Sequence, residues 1–238
     1  MRFPGFGGGW CYNSLGECAD SLEYGMNAAA VMFDGIHKYI RITDIDEETG
    51  EFLANPITSP DGILEEKYKV KENDILFART GASVGKSYLY NIKDGELYFA
   101  GFLIRARIKS KYNGAFIYYQ TKRQKYNKWV KLTSMRSGQP GINSQEYARY
   151  RISLADRDEQ DKIAKFLCAI YKKIYIQNKI IESKKSLIIR FVIEILLSLL
   201  SLVGSIISFN IFPFISNLLK LIWTIFKEVK RIWSKKKT

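Results

Sequence analysis

Short apolar runs separated by turn residues fill roughly the first 150 residues, and this pattern predicts strands joined by tight connections. Within residues 98–108, Arg105 and Arg107 alternate with apolar residues, so both arginines are expected on one face of a sheet. Turn pairs such as Asp61-Gly62 and Asp94-Gly95 lie between the runs. The strand candidates are residues 39–45, 68–70, 74–78, 87–92 and 98–108.

Residues 115–132 carry apolar side chains at helical spacing, which predicts one helix. We assign its aromatic side chains to the core, because aromatic residues at this spacing are buried more often than they stack on nucleic-acid bases. These aromatic positions are Phe116, Tyr119, Tyr126 and Trp129.

A different pattern begins at Asp156, where apolar residues recur at alternating spacings of three and four. This heptad rhythm predicts a long amphipathic helix over residues 156–188 that pairs with a partner helix. Gln177 interrupts the apolar seam and could fix its register. The alternative is a short helix that packs back on its own domain. The dimerisation seam comprises Ile163, Leu167, Ile170, Ile174 and Ile181.

The C-terminal stretch is apolar in its first part and amphipathic in its second. Residues 195–219 form 25 consecutive uncharged residues, whereas a membrane span needs only ~20 apolar residues. After Pro213, apolar residues share one helical face and Lys and Arg residues line the other, as in helices that lie on membranes. We therefore predict that residues 187–233 associate with a membrane.

Two alternatives to membrane association stay open for this stretch. It could fold against the preceding domain, or pair in an oligomer, as a buried apolar helix. It could also be the end of a rearranged gene, without a role of its own.

The patterns together predict an α+β protein in three parts, because the spacing of apolar residues changes twice along the chain. A mixed α/β domain over residues 1–152 is followed by a long coiled-coil-forming helix over residues 153–188. Residues 189–238 form an apolar C-terminal helical tail with a basic end.

Positive charge is unevenly distributed over the 238 residues, whose net charge is +13. The nine Lys/Arg and two Asp/Glu of residues 185–238 account for +7 of it, which leaves +6 for residues 1–184. A mildly basic globular part suits a phosphate-rich partner such as nucleic acid. A solvated basic surface without a partner is the alternative.

Cysteine and histidine usage argues against a metal site. Cys11, Cys18 and Cys168 stand far apart, and His37 is the one histidine of the sequence. Unpaired thiols suit a reducing compartment, and the glycine-rich residues 1–10 have no apolar core typical of a secretory signal. We expect a cytoplasmic protein, with membrane contact through the tail as an addition.

One glycine loop is similar to a phosphate-binding loop but departs from it. Only three residues separate Gly81 from Gly85, where the phosphate-binding loop has four, and Thr80 stands where its first glycine would be. The residues that follow have a strand pattern, although a phosphate-binding loop must open a helix. We therefore predict a chain that is not catalytic by itself and needs no cofactor.

Five segments follow one another in an order that resembles a known family. They are residues 2–6 with Trp10, residues 39–45, residues 73–86, residues 137–143 and residues 159–164. Each segment is short, but their order over residues 1 to about 184 resembles the target-recognition domain of the specificity subunits of type I restriction–modification systems.

The resemblance implies a division of labour between this chain and its partners. In that family the recognition domain reads one half of a split DNA site, and long helices pair as an antiparallel coiled coil. Methylation and cleavage belong to separate methyltransferase and restriction subunits. The assembled complex would thus be a site-specific DNA methyltransferase and ATP-dependent endonuclease.

Two departures from the family pattern affect what is expected. No proline precedes the Glu159-Gln160 segment, and the sequence contains one recognition domain where family members usually carry two. A half-length form implies a homodimer, or pairing with another specificity chain, through the helix. A membrane-tethered or degenerate recognition protein without restriction function is the alternative.

Two glycine loops are expected to contact the DNA, since glycine lets the backbone approach closely and the neighbouring side chains are donors. Arg and Gln suit bidentate contacts with guanine and adenine. An alternative for Arg79 is an ion pair with Asp74 or Asp44, in which case the glycines serve only turns. The candidate DNA-contacting residues are Arg79, Thr80, Ser83, Lys86, Ser134, Arg136, Ser137 and Gln139.

Overall fold

A computed structural model of the chain describes residues 3–206 and 212–234. The chain divides into two units, Met1–Tyr175 and Ile176–Thr238. The strands are β1 Cys11–Ser14, β2 Ala19–Tyr24, β3 Ala30–Met32, β4 Lys38–Ile40, β5 Thr58–Pro60, β6 Asp74–Ala78, β7 Ser87–Leu89, β8 Leu97–Phe99, β9 Leu103–Ile108 and β10 Arg151–Leu154. The helices are α1 Leu15–Cys18, α2 Gly114–Gln120, α3 Gln124–Thr133, α4 Ser144–Ala148, α5 Arg157–Ile206 and α6 Phe212–Ser234.

The central sheet of the first unit is antiparallel and has the strand order β2-β9-β6-β7. All five residues of β6 are buried; residues 75–78 form a continuous apolar run, as is typical of a buried strand, and Asp74 is the charged exception. Ile75 and Phe77 pack in a cluster with residues of α2, α3 and α4. Leu76 and Ala78 pack in a second cluster with residues of β4 and β8. Both faces of the sheet are therefore covered, and the predicted α+β fold is confirmed.

Three two-stranded pairs complete the first unit. β1 and β10 pair antiparallel, so the end of the domain returns to its beginning. β3 and β5 also pair antiparallel. β4 and β8 form a parallel pair, in which Ile40 lies opposite Phe99.

Several predicted elements differ in the structure. Residues 39–45 form β4 and then a 3₁₀ turn, and residues 68–70 belong to none of the ten strands. Two further elements are divided. Residues 98–108 form the separate strands β8 and β9, because Ala100, Gly101 and Phe102 make a turn closed by a 2.8 Å hydrogen bond from Leu103 N to the Ala100 carbonyl. The predicted helix over residues 115–132 is likewise α2 and α3. Helix α2 ends at Thr121, whose backbone N–H donates to the Tyr118 carbonyl, and α3 begins at Gln124.

The two arginines of β9 lie on one face, as their alternation predicts. Asp74 on the neighbouring strand lies 3.8 Å from Arg105 Nε and 3.5 Å from Arg107 Nε. Arg105 is fully buried and also pairs with Glu23. Burial raises the pKa of Asp74, against the opposing effect of these two arginines. The acidic and basic side chains therefore hold three strands of the sheet together.

Helix α5 begins directly after β10 and is anchored by polar side chains. Gln160 is buried, and its side-chain oxygen accepts a 3.0 Å hydrogen bond from Asn113 N. Asn113 Nδ2 donates to Asp161 at 2.6 Å. Further along the helix, the Tyr171 ring stacks on the Tyr119 ring, with the ring centroids 5.0 Å apart. The start of the helix is thus fixed on the α2 edge of the first unit.

The predicted seam of α5 is packed at its beginning and exposed further on. Ile163 and Leu167 are half-buried, and Ile163 packs against the larger core cluster. The exposed fractions rise to 37% at Ile170, 51% at Ile174 and 47% at Ile181. The helix itself is confirmed, and it continues past residue 188 to Ile206.

The second unit contains the end of α5 and helix α6. Pro213 lies in the first turn of α6, where its missing N–H is tolerated. The helical tail is therefore confirmed. Within residues 3–206 and 212–234, no helix combines the length and apolar character that crossing a membrane requires. The stretch predicted to associate with a membrane, residues 187–233, includes positions 207–211, which lie outside the described residues.

Candidate nucleic-acid interface

Two loops that are distant in sequence meet at one end of the central sheet. The first loop, residues 79–86, connects β6 to β7, and the second loop, residues 134–143, connects α3 to α4. Thr80 and Gly141 form an antiparallel bridge. Ile142 N donates to the Arg79 carbonyl at 2.9 Å, and Gly81 N donates to the Pro140 carbonyl at 2.9 Å. The structure thus brings both groups of candidate residues together.

Tyrosines of the two flanking helices hold the first loop, and the end of the strand before it, from within the core. The Tyr126 hydroxyl of α3 donates to the Gly85 carbonyl at 2.9 Å, and the Tyr147 hydroxyl of α4 donates to the Ala78 carbonyl at 2.7 Å. Burial raises the pKa of both phenols, so each keeps its proton for the hydrogen bond. These hydrogen bonds therefore fix the backbone from the side that faces the core.

Both glycines of the first loop have positive φ, at +69° for Gly81 and +88° for Gly85. A Cβ on Gly85 would stand 2.6 Å from Val130 Cγ1, so helix α3 packs directly against this backbone. L-residues other than glycine rarely adopt such angles without strain. The glycine spacing of the loop thus serves its shape and its contact with α3.

The first loop leads into β7, as its sequence predicts, and not into a helix. Residues Gly81–Ser83 form a short 3₁₀ turn, which Val84 N closes by donating to the Gly81 carbonyl at 3.1 Å. A phosphate-binding loop places its phosphates at a helix N-terminus. This loop offers no such terminus.

The candidate residues of the first loop are half-buried. Lys86 Nζ lies 3.7 Å from the carboxylate of Glu47, which is largely exposed. Ser83 lies in the 3₁₀ turn, and Thr80 carries the bridge to the second loop. The arrangement leaves hydroxyl and ammonium donors at the rim of the loop.

The second loop is much more exposed than the first. Residues 135–140 are all exposed, including the candidates Arg136, Ser137 and Gln139. The Arg136 guanidinium donates to the Thr133 carbonyl at 2.8 Å and pairs with Glu146 of α4. Ser134 differs from these candidates, because it is buried and its N–H caps α3 by donating to the Val130 carbonyl at 2.8 Å.

Arg79 has an environment that the sequence did not indicate. Its guanidinium carbon lies 4.9 Å from the ring centroid of Tyr24 and 5.9 Å from that of Phe102. Asp44 is engaged by Arg41, and Asp74 by the arginines of β9. The alternative of an ion pair between Arg79 and either aspartate is therefore wrong.

Tyr24 and Phe102 are residues that sequence reasoning missed. Tyr24 ends β2, and its hydroxyl accepts a 3.1 Å hydrogen bond from Ser144 N at the start of α4. Burial raises the pKa of Tyr24, but the bonds from Ser144 and the charge of Arg79 outweigh it, so the net change is a lowered pKa. Gly101 was the available signal, since a glycine inside a strand pattern marks a bend or a close backbone approach.

Comparison with known proteins identifies solved structures with a similar fold. No curated protein is detectably similar in sequence. A structure of complex assembly and conformational transition in the type I R-M system is similar, with a TM-score of 0.55 and 17% identity over 73% of this chain and 42% of that chain. The HsdS subunit from Thermoanaerobacter tengcongensis is similar, with a TM-score of 0.56 and 14% identity over 75% and 46% of the two chains.

A third similar structure is the S subunit of the type I restriction–modification system from M. genitalium, with a TM-score of 0.52 and 15% identity over 76% and 44% of the two chains. At such identities the likeness is one of fold. This chain spans less than half the length of each of the three structures.

A family comparison covers most of the first unit and the start of the long helix. The family of the type I restriction modification DNA specificity domain matches residues 26–183, well over half of the 238 residues. The matched segment contains both loops and the first part of α5. This chain therefore belongs to the type I restriction modification DNA specificity domain family.

Proposed function

We propose that this chain reads one half of a split DNA sequence as the specificity subunit of a type I restriction–modification complex. The observation that carries the proposal is the bridge between Thr80 and Gly141, which unites the two candidate loops on one surface. Membership of a DNA specificity family supports it. A domain with an excess of positive charge also suits a polyanionic partner.

The two loops divide the contacts in this proposal. Thr80, Ser83 and Lys86 position the chain on phosphates, for which hydroxyl and ammonium donors are suited. Arg136 and Gln139 of the exposed loop read base edges, because their planar groups can make two hydrogen bonds to guanine or adenine. Ser134 supports the second loop from its buried place at the end of α3.

In this proposal the chain recognises the DNA site, and partner subunits carry out methylation and cleavage. One of the similar solved structures concerns assembly of a type I R-M system. By analogy, this chain would bind methyltransferase and restriction subunits in the cytoplasm and direct their methylation and cleavage to the site. It would itself need no cofactor.

The exposed seam of α5 supports pairing through this helix. Ile170, Ile174 and Ile181 present apolar side chains to solvent in the single chain, and a second heptad helix would cover them. Two copies joined by antiparallel helices would have two-fold symmetry and read a palindromic split site. Another specificity chain is the alternative mate. Sedimentation of the full chain, with and without detergent, should show a dimer. A monomer at all concentrations would contradict the homodimer.

The DNA-binding proposal is tested by titrating the full chain with duplex DNA over a series of salt concentrations. Each phosphate that the chain neutralises lowers the slope of log K against log salt by ~0.9. We expect measurable binding that weakens steadily as salt rises, with a preferred duplex recoverable from a randomised pool. Binding that is absent at low salt would contradict the proposal.

A second candidate function is a membrane-tethered recognition protein that has lost its restriction role. Helix α6 favours it, since Leu219, Trp223 and Phe226 are 53%, 61% and 53% exposed while Lys220 and Lys227 supply charge for anionic lipid. Flotation of the full chain with anionic and with neutral vesicles tests this. Recovery with anionic vesicles is expected, and a chain that stays at the bottom of both gradients contradicts it.

A further inference from the structure

A groove of about 670 Å³ opens next to the joined loops of the first unit. The end of β2, the end of β4 and the turn between β8 and β9 form its walls. Arg79 belongs both to this groove and to the first loop. A duplex that contacts the first loop would therefore lie close to the groove. The groove is lined by Tyr24, Arg41, Thr43, Arg79 and Phe102 among others.

Arg79 is held in this groove by aromatic rings and not by an acid. Its guanidinium lies over Tyr24 and near Phe102, at 4.9 and 5.9 Å from the ring centroids. Among the residues that the structure describes, no carboxylate forms an ion pair with Arg79, and its Nε has no hydrogen-bond partner. That Nε is a buried atom, so a ligand can be bound only through the terminal nitrogens, and ring contacts restrict the plane in which these lie.

The second arginine of the groove, Arg41, is paired with an acid. Arg41 Nε and Nη2 each donate to a carboxylate oxygen of Asp44 at 2.8 Å. This two-bond pair neutralises the guanidinium and occupies the face that would otherwise bind a ligand. Arg79 therefore supplies the uncompensated positive charge of the groove.

Phe102 is an apolar side chain at the edge of the same groove. It is 57% exposed at the turn between β8 and β9. Its carbonyl accepts a 3.0 Å hydrogen bond from Arg79 N, so the two residues are coupled through the backbone. An exposed phenyl ring gains nothing from a phosphate, whereas it can contact the methyl group of thymine.

We propose that this groove reads base pairs of the DNA target, with Arg79 donating to guanine and Phe102 contacting the edge of an adjacent base. The inference rests on the proposed DNA-binding function and adds a second reading surface beside Arg136 and Gln139. Guanine presents two acceptors to a planar guanidinium in the major groove. An arginine already restrained by aromatic rings loses less side-chain freedom when it binds.

The test uses the full chain and the duplex that it prefers in selection from a randomised pool. Affinities of the wild type, Arg79→Lys and Phe102→Ala are then measured for that duplex and for duplexes with single base-pair changes. Lysine keeps the charge but loses the planar pair of donors, so a phosphate contact would survive this change. Ile92→Ala is the matched control, since Ile92 is 83% exposed and does not line the groove.

Each groove variant should lower affinity for the preferred duplex roughly 5- to 150-fold and relax the preference at its own base pair. Ile92→Ala should change neither. Wild-type chain that selects no sequence and shows no salt-dependent binding overturns the proposed function itself. A wild type that is specific, with groove variants that keep its affinity and preferences, overturns only the groove. Loss of methyltransferase binding with unchanged DNA preference would also overturn it, by assigning the groove to a protein contact.

Discussion

The two loops that meet at the Thr80–Gly141 bridge are supported in different ways. The first is fixed by the buried Tyr126 hydroxyl and by the close contact of Gly85 with α3, and the Tyr147 hydroxyl holds the strand end just before it. The second exposes six consecutive residues, 135–140. A fixed loop can set where the duplex lies, while an exposed loop can adjust its side chains to the bases. In the proposed function, Thr80, Ser83 and Lys86 of the fixed loop position the duplex, and the exposed loop reads bases beside the groove that holds Arg79.

Substitution of Gly85 should give the largest loss of stability, because it disrupts the fixed loop at its tightest contact. Gly85→Ala adds a Cβ that would stand 2.6 Å from Val130 at a φ of +88°. We expect the free energy of unfolding to fall by about 2–4 kcal/mol from overpacking and backbone strain. Urea denaturation followed by circular dichroism measures this change.

Gly138→Ala is the matched control in the exposed loop, where nothing lies within 4 Å of the added Cβ. Its effect should stay within about 0.5 kcal/mol. Equal losses of stability for the two alanine variants would mean that the loops do not differ in support.

Arg136→Ala should lower affinity for the preferred duplex by about 1–3 kcal/mol and relax specificity at one base pair. The physical reason is the loss of a planar group suited to two hydrogen bonds with guanine. Arg149→Ala is the control, since Arg149 is an exposed arginine at the end of α4. Binding assays on duplexes with single base-pair changes distinguish the two variants. Unchanged affinity and preference in Arg136→Ala would remove the exposed loop from readout.

Tyr126→Phe removes the hydroxyl that supports the first loop and leaves the buried aromatic ring in place. The Gly85 carbonyl loses the donor that lies 2.9 Å away, and a buried acceptor without a partner costs about 1–2 kcal/mol of stability. Tyr12→Phe is a suitable control because Tyr12 is 57% exposed. A thermal melt in which both variants match the wild type would show that this hydrogen bond does not hold the loop.

Lys86→Ala should have the smallest effect, and that effect should not depend on sequence. Removal of one phosphate contact lowers the magnitude of the salt slope by about 1 and weakens binding to all duplexes alike. Lys93→Ala, an exposed lysine on the turn before β8, should leave the slope unchanged. A change of base preference in Lys86→Ala would contradict a phosphate contact and assign base readout to Lys86.

Local patterns in the sequence predicted the long helix and several of the strands, whereas non-local contacts form the candidate site. The buried strand β6 and helix α5 follow from apolar spacing within their own segments. The bridge from Thr80 to Gly141 joins residues that share no local pattern, so the sequence could nominate both loops but not their contact. Ser134 illustrates the same limit, since its hydroxyl type suits DNA while its buried place follows from packing of α3.

The sequence does not predict the groove, because the strand pattern of residues 98–108 runs through Gly101. Gly101 turns the chain between β8 and β9 and leaves Phe102 exposed beside Arg79. In a continuous strand the phenyl ring would simply alternate with its neighbours. The position of Tyr24 against Arg79 depends on pairing between β2 and β9, which are far apart in sequence.

Sequence-dependent recognition of DNA by this chain is tested most directly by mapping methylated bases in its host. Genomic DNA from cells with the chain is compared with DNA from cells in which its gene has been removed, and then restored. We predict one short split sequence that is methylated only when the chain is present, with altered sites when Arg136 is replaced by Ala. Identical methylation patterns with and without the chain would contradict the account.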